Sequence, residues 1–271
     1  MFPLSGKIFP TSGDELSAAI QDALADVLSF PKTGGGVKLE DGGKFPAVES
    51  LTIDLSGATV NIDQPPPQPK PKGKREPGIT VGQLEVAGHP IHYDKGKADI
   101  ELKAKGVSFD FAHDAKGHAL LVLTDAQDGH VRVKIGKDDL KAMLLAAATA
   151  AARQQGVVIQ DLDVNVEARG DRSVAADVRV KAKKLIMSGV VHIRGKADVD
   201  DDLVATLSGL SCTGEGVIGG MAAGFLQGKL KAFEGRKIPL MAFSLGDVAL
   251  RDLKISTKDA VQLDARFGHK A

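Results

Sequence analysis

From Ala142 to Ala152 every residue but Thr149 is apolar, within the run "DDLKAMLLAAATAAARQQG" at 138–156. The run opens on two carboxylates and closes on Arg153 and Gly156 with no breaker between, which marks a helix over 138–155. A helix with no wet face must be covered by protein or cross a membrane. The apolar run falls well short of the roughly 18 residues that a span requires. Its cover must come from the rest of the chain, and the helix is expected to be largely buried on all faces.

The strands offer that cover. In "VESLTIDLSGATVNI" Leu51, Ile53 and Leu55 alternate with polar residues, then the phase slips at Ser56-Gly57 and resumes at Ala58, Val60 and Ile62. In "KADIELKAKGVSFDF" Ala98, Ile100, Leu102 and Ala104 give way after Gly106 to Val107, Phe109 and Phe111. In "DVALRDLKIS" Val248 and Leu250 give way to Leu253 and Ile255. A one-residue slip sends the apolar set to the wrong face unless a bulge absorbs it, and bulges bend and twist a strand. Long, strongly curved strands are therefore expected. Others are expected at 79–86, 91–94, 118–124, 129–135, 158–168, 173–186, 189–199, 203–210 and 259–267. Val174, Ala176, Val178, Val180 and Ala182 face one way, and Asp177, Arg179, Lys181 and Lys183 the other. That is an antiparallel sheet with one wet face.

Two more helices are expected. The first, at 13–30, has Ser12 or Asp14 as cap and Leu16, Ile20, Leu24, Val27 and Leu28 at helical spacing. The other, at 216–234, carries Gly216, Gly220, Gly224 and Gly228 at every fourth position. Each interior glycine costs about 1 kcal/mol relative to alanine, so something must offset it. Close backbone packing, a cavity wall or partly irregular backbone are the candidates. The echo of "GKADI" at Gly96 in "GKADV" at Gly195 hints at a duplicated unit.

The segment "QPPPQPKPKGKREPG" reads as a solvated Pro-rich loop over 64–77. Its Lys70, Lys72, Lys74 and Arg75 could instead form a polyproline ligand or a basic finger on a membrane. Overall, 35 basic residues balance 35 acidic ones, so no excess charge is available to meet a nucleic-acid backbone. The single cysteine, Cys212, excludes an intrachain disulfide or a Cys-based zinc site and reads as a core residue. "MFPLSGKIFPTSGDEL" lacks a charged head followed by an apolar run, so a cytoplasmic or peripheral-membrane location is expected.

Catalytic signatures such as a Walker loop, HExxH or GxSxG are missing, and an enzyme is not expected. His89 and His92 in "HPIH", with His113, His118 and His130, are candidate metal ligands, but Pro90 and strand geometry disfavour a preformed site and no carboxylate sits at ligand spacing between His89 and His92, while "DVDDD" at 198–202 lacks a calcium loop's glycine and distal glutamate. Neither a metal nor a cofactor is expected.

Together these features give an α+β chain, a long, highly curved antiparallel sheet rolled around two or three apolar helices. Residues 1–47 would supply the N-terminal helix and lead-in, and 48–271 the main domain. The runs "ITVGQLEVAGHPIHYDKGKADIELKAKGVSF", "VRVKIGKDDLKAML" and "RKIPLMAFSLGDVALRDLKIS" carry a further likeness. In order and type they resemble the tubular lipid-binding (TULIP) superfamily, and within it the bacterial LmeA-type phospholipid-binding domain. The resemblance implies binding of a lipid or fatty acyl chain, without catalysis, in a groove between sheet and helices. The expected groove walls are Leu140, Met143, Leu144, Met221, Phe225, Leu226 and Leu230, with Phe109, Phe111, Val178 and Val180 opposite. The alternative is a structural or interaction protein with the same roll and a dry core.

Overall fold

The computed structural model describes residues 2–32, 34–61, 71–153, 156–185, 187–201, 204–239 and 248–269. The first half runs β1 (Phe2–Pro3), α1 (Gly13–Ala25), β2 (Leu28–Ser29), β3 (Gly36–Glu40), β4 (Ala47–Asp54), β5 (Thr59–Val60), β6 (Lys72–Tyr93), β7 (Gly96–His113) and β8 (Ala119–Gly136). The second runs α2 (Lys137–Arg153), β9 (Val158–Gly170), β10 (Ser173–Lys184), β11 (Met187–Val199), β12 (Val204–Glu215), α3 (Gly216–Lys231), β13 (Lys237–Pro239), β14 (Val248–Ser256) and β15 (Ala260–His269). The fold is α+β and mostly sheet, with three helices among the described residues and two sheets that do not close.

The larger sheet has the order β14-β15-β8-β7-β6-β4-β3, with β1 added on β8 and β5 between β2 and β6. Its centre is built from strands of 22, 18 and 18 residues. At about 3.3 Å per residue the longest covers about 70 Å along its path. Register shifts interrupt these ladders at Gly88/Ile91, at Ser108/Phe109 and, between β14 and β15, at Leu250/Asp252. The last is the slip expected in "DVALRDLKIS", with Arg251 as the extra residue. At Gly106 the slip is real but made differently. Ala104 and Val107 are both buried, and Gly106 takes φ 56° between them, a backbone that side chains resist. Ser56-Gly57 is no bulge, because the strand stops at Asp54 and restarts at Thr59.

Several expected elements join or change. The runs at 79–86 and 91–94 are one strand, continuous through the register shift at Gly88/Ile91, where Pro90 can donate no ladder hydrogen bond. The expected loop at 64–77 splits. Residues 62–70, with Lys70, lie outside the described residues, and Lys72, Lys74 and Arg75 already belong to β6 as exposed strand residues. Nor is the large sheet wholly antiparallel, since β6 runs parallel to β4 and β5.

α1 seats the main core. Ser12 Oγ accepts the Glu15 backbone N–H at 3.2 Å, and the Glu15 carboxylate accepts the Thr11 N–H at 2.7 Å, so each satisfies an exposed N-terminal donor. Leu16, Ile20 and Leu24 pack on Val48, Leu51, Ile79, Val81, Val107 and Phe111. Residues on both sides of position 47 thus share one core.

The smaller sheet is a meander, β13-β12-β11-β10-β9, every ladder antiparallel. Leu253, Ile255 and Ala265 of the large sheet join it by packing on Val199 and Ala205, with Val174 alongside. The two similar pentapeptides sit at different places in their strands: Gly96 opens β7 after a hairpin turn, whereas Gly195 lies inside β11.

α2 overturns the opening expectation. None of its described side chains is buried, and Ala147 and Ala150 are exposed. It lies against β9, β7 and β8, with Met143 against Gly96. Its small alanines present little area to bury, so an apolar sequence here does not mean an enclosed helix.

Candidate functional site

The smaller sheet sorts its side chains cleanly. Cross-strand partners share a face. The pairs Leu162↔Val180, Val164↔Val178, Val166↔Ala176 and Ala168↔Val174 join β9 to β10. The pairs Val180↔Val191, Val178↔Ile193 and Ala176↔Gly195 carry the same face to β11, and Ile193↔Cys212 carries it to β12. One face is therefore almost entirely Val, Ala, Ile and Leu. The other holds Asp163, Asp177, Arg179, Lys181 and Arg194, with Arg194 Nε on Asp177 Oδ2 at 2.7 Å.

The apolar face is covered unevenly. At one end α3 sits on Val191, Ile193 and Cys212 through Ala222, Ala223, Leu226 and Leu230. At the other, β14 and β15 pack on Val174, Val199 and Ala205. Between them Val164, Val166, Ala176, Val178, Ile193 and Ala197 remain only half-buried. Burial pushes the Cys212 thiol pKa up, and the residue is a core residue as expected, in the seat of α3.

The glycines of α3 act differently from the expected stripe. Gly219, outside it, is buried, and a Cβ there would run into the Val190 backbone. Gly189 and Gly214 meet Gly219 from the sheet, so helix and strands touch backbone to backbone. Gly220, Gly224 and Gly228 face open space on the far side and pack against nothing within 4 Å.

The expected walls separate into four groups. Leu226, Leu230, Val178 and Val180 do share the apolar side of the smaller sheet. Met221 and Phe225 point outward and are exposed. Leu140, Met143 and Leu144 are half-buried on α2. Phe111 is buried in the core under α1, stacked on Phe9 with ring centroids 4.8 Å apart, and Phe109 packs against that core. They are not two sides of one groove, because both phenylalanines stand on β7 in the larger sheet. A cleft of about 220 Å³ opens elsewhere, among Ser50, Thr52, Gln83, Glu85, Lys103, Lys105 and His130 on the polar face of the larger sheet. It contains none of the expected wall residues.

The histidines have separate partners. His118 Nδ1 lies 3.1 Å from Asp114, His130 Nε2 3.4 Å from Asp264 and His89 Nδ1 3.8 Å from Asp99, while His113 Nε2 is 2.9 Å from the Lys7 carbonyl. Among the described residues no group of three or more His, Cys, Asp or Glu side chains converges as a metal site. No described helix is long and apolar enough to cross a membrane.

Sequence reasoning missed the Gly189–Gly214–Gly219 contact and the outward row of α3. Glycines on two adjacent strands preceding a glycine-rich helix were the available signal for the first. Val217, Met221 and Phe225 at four-residue spacing were the signal for the second. Compared with protein-family models, curated proteins and solved structures, the chain matches none.

Proposed function

We propose that the protein binds a lipid acyl chain or another long apolar ligand against the apolar face of the smaller sheet. The carrying observation is that face itself, capped by α3 at one end and β14–β15 at the other and half-exposed between. A methylene chain laid over Val164, Val178 and Ile193 gains about 0.8 kcal/mol per buried CH₂, so about ten carbons suffice without a polar contact. The TULIP-like order of helix, twisted strands and helix supports the same ligand class, as does the LmeA-type likeness. The ligand-facing residues are then Val164, Val178, Val180, Ile193, Leu226 and Leu230. Headgroup selection is weak, because from Val174 to Ala182 no charged side chain lies on this face of β10 and Lys184 stands only at the strand's end.

Native mass spectrometry of the purified protein and uptake of a fluorescent phospholipid test the reading. Val178→Asp should reduce uptake about tenfold or more, since a charge on this face must be desolvated beneath the chain. Asp177→Ala, on the opposite face, should leave it unchanged, with melting curves as the folding control. A second reading is a non-catalytic interaction protein with a dry face, favoured by the direct packing of Leu226 and Leu230 on Val191. It replaces the first if the wild-type protein takes up no lipid.

A further inference from the structure

We propose that the outward face of α3, with the turn that follows it, docks on the surface of an anionic lipid bilayer. This goes beyond the apolar-ligand reading, because it uses the side of α3 turned away from the sheet.

Val217, Met221 and Phe225 are 64%, 70% and 60% exposed. Four residues apart, they form a single row along the helix. Phe233 and Ile238, also exposed, lie beyond the helix end. Beside the row Gly220, Gly224 and Gly228 add no side chain, so the three large residues stand clear of their surroundings. Scattered exposed apolar residues need no explanation, but a contiguous row of this kind marks an interaction surface.

Charge identifies the partner. The whole chain is neutral, with 35 cations against 35 anions. Between Gly216 and Pro239 it carries Lys229, Lys231, Arg236 and Lys237 against a single carboxylate, Glu234. That carboxylate accepts the backbone N–H groups of Gly209 and Leu210 at 2.8 and 2.9 Å, which turns it toward β12. Glu215, just before the helix, lies 3.5 Å from His192. Lys229 Nζ sits 4.6 Å from the Phe225 ring centroid, and the Arg236 guanidinium 4.9 Å from that of Phe233. Aromatic rings and cations at one level suit the boundary between headgroups and acyl chains, where the ring enters and the cation stays with lipid phosphate. A second copy fits poorly: a two-fold contact through this face would bring the same cations together.

Co-sedimentation with vesicles tests this, using phosphatidylcholine alone and phosphatidylcholine mixed with phosphatidylglycerol. The wild-type protein should bind the mixed vesicles, bind phosphatidylcholine weakly, and release as salt rises. Lys229→Gln with Lys231→Gln should weaken binding about 25-fold, from about 1 kcal/mol per cation near an anionic surface. Phe225→Ser should weaken it about tenfold. All three positions are exposed, so unchanged melting is expected. Lys183→Gln, on the polar face of β10, should have no effect. Equal binding to both vesicles, no binding, or indifference to the α3 variants overturns the proposal. So does loss of binding only in Lys72→Gln/Lys74→Gln, which moves the contact to the start of β6. A dimer that Phe225→Ser dissociates, without vesicle binding, assigns the face to a second copy instead.

Discussion

The two sheets treat their apolar faces in opposite ways. The larger sheet closes its face under α1, where Leu16, Ile20, Val81 and Val107 are almost fully buried. The smaller sheet has an equally apolar face, yet only its two ends are capped and the valines between stay half-exposed. Both α2 and α3 are rich in small side chains, and neither supplies the side-chain volume that α1 brings from Leu16, Ile20 and Leu24. A helix built of Ala and Gly can approach a sheet closely, but it covers little of it. The same composition that suggested enclosed helices therefore leaves apolar surface available.

The largest expected effect falls on the closed side. Leu16→Ala should destabilise by about 2–5 kcal/mol, because the site is fully buried and surrounded by strands that cannot collapse into the gap. Leu226→Ala should cost about half as much or less, since that side chain is only partly buried. Chemical denaturation measures both. Equal costs would mean that the smaller sheet is as tightly packed as the larger, and the contrast would fail.

Within α3, two glycine substitutions should have opposite signs. Gly219→Ala should destabilise by about 1–3 kcal/mol, because its methyl group meets the Val190 backbone, which cannot swing aside. Gly224→Ala should stabilise by up to about 1 kcal/mol, since its Cβ enters open space and the helix gains propensity. Thermal melts of the two variants decide it, and a loss at Gly224 would place a packed neighbour on that face.

α2 offers a smaller effect. Ala147→Glu should change stability by no more than about 0.5 kcal/mol, as on any exposed helix position. A loss of several kcal/mol would restore the enclosed helix that the sequence suggests.

Much of the fold was legible. Ser12 as a cap, the alternation in β10 and the slip at Leu250 each left a local signature, and each became the expected structure. Partners distant in sequence left none, so the parallel pairing of β6 with β4 could not be read. The candidate site was legible in part. Val178 and Val180 were assigned to the correct face because a strand's two-residue period fixes it. Met221 and Phe225 were placed inward because the four-residue glycine period drew attention to the wrong side. Gly219 and Ala223 face the sheet, on the side of α3 opposite Gly220 and Gly224. Leu140 and Met143 show the general difficulty: apolar sequence specifies that cover is favourable, not that the chain itself supplies it.

The smallest effect concerns acid. Burial raises the Asp264 pKa, but hydrogen bonds from Gln262 and Arg132, with the charge of Arg132, outweigh it and hold the carboxyl below its ordinary value. A lowered folded-state pKa stabilises the fold above the unfolded value, near 3.9, and that contribution disappears as pH falls through the folded value. Asp264→Asn should therefore lose stability at neutral pH and converge with the wild type in acid. A difference that persists at low pH would indicate packing rather than charge.

Hydrogen exchange, measured with and without a long-chain fatty acid, tests the contrast between the sheets most directly. Slower exchange on ligand addition is expected in β9, β10 and β11, with β6–β8 unchanged. No slowing anywhere, or slowing confined to the larger sheet, would contradict an open, ligand-accepting face on the smaller one.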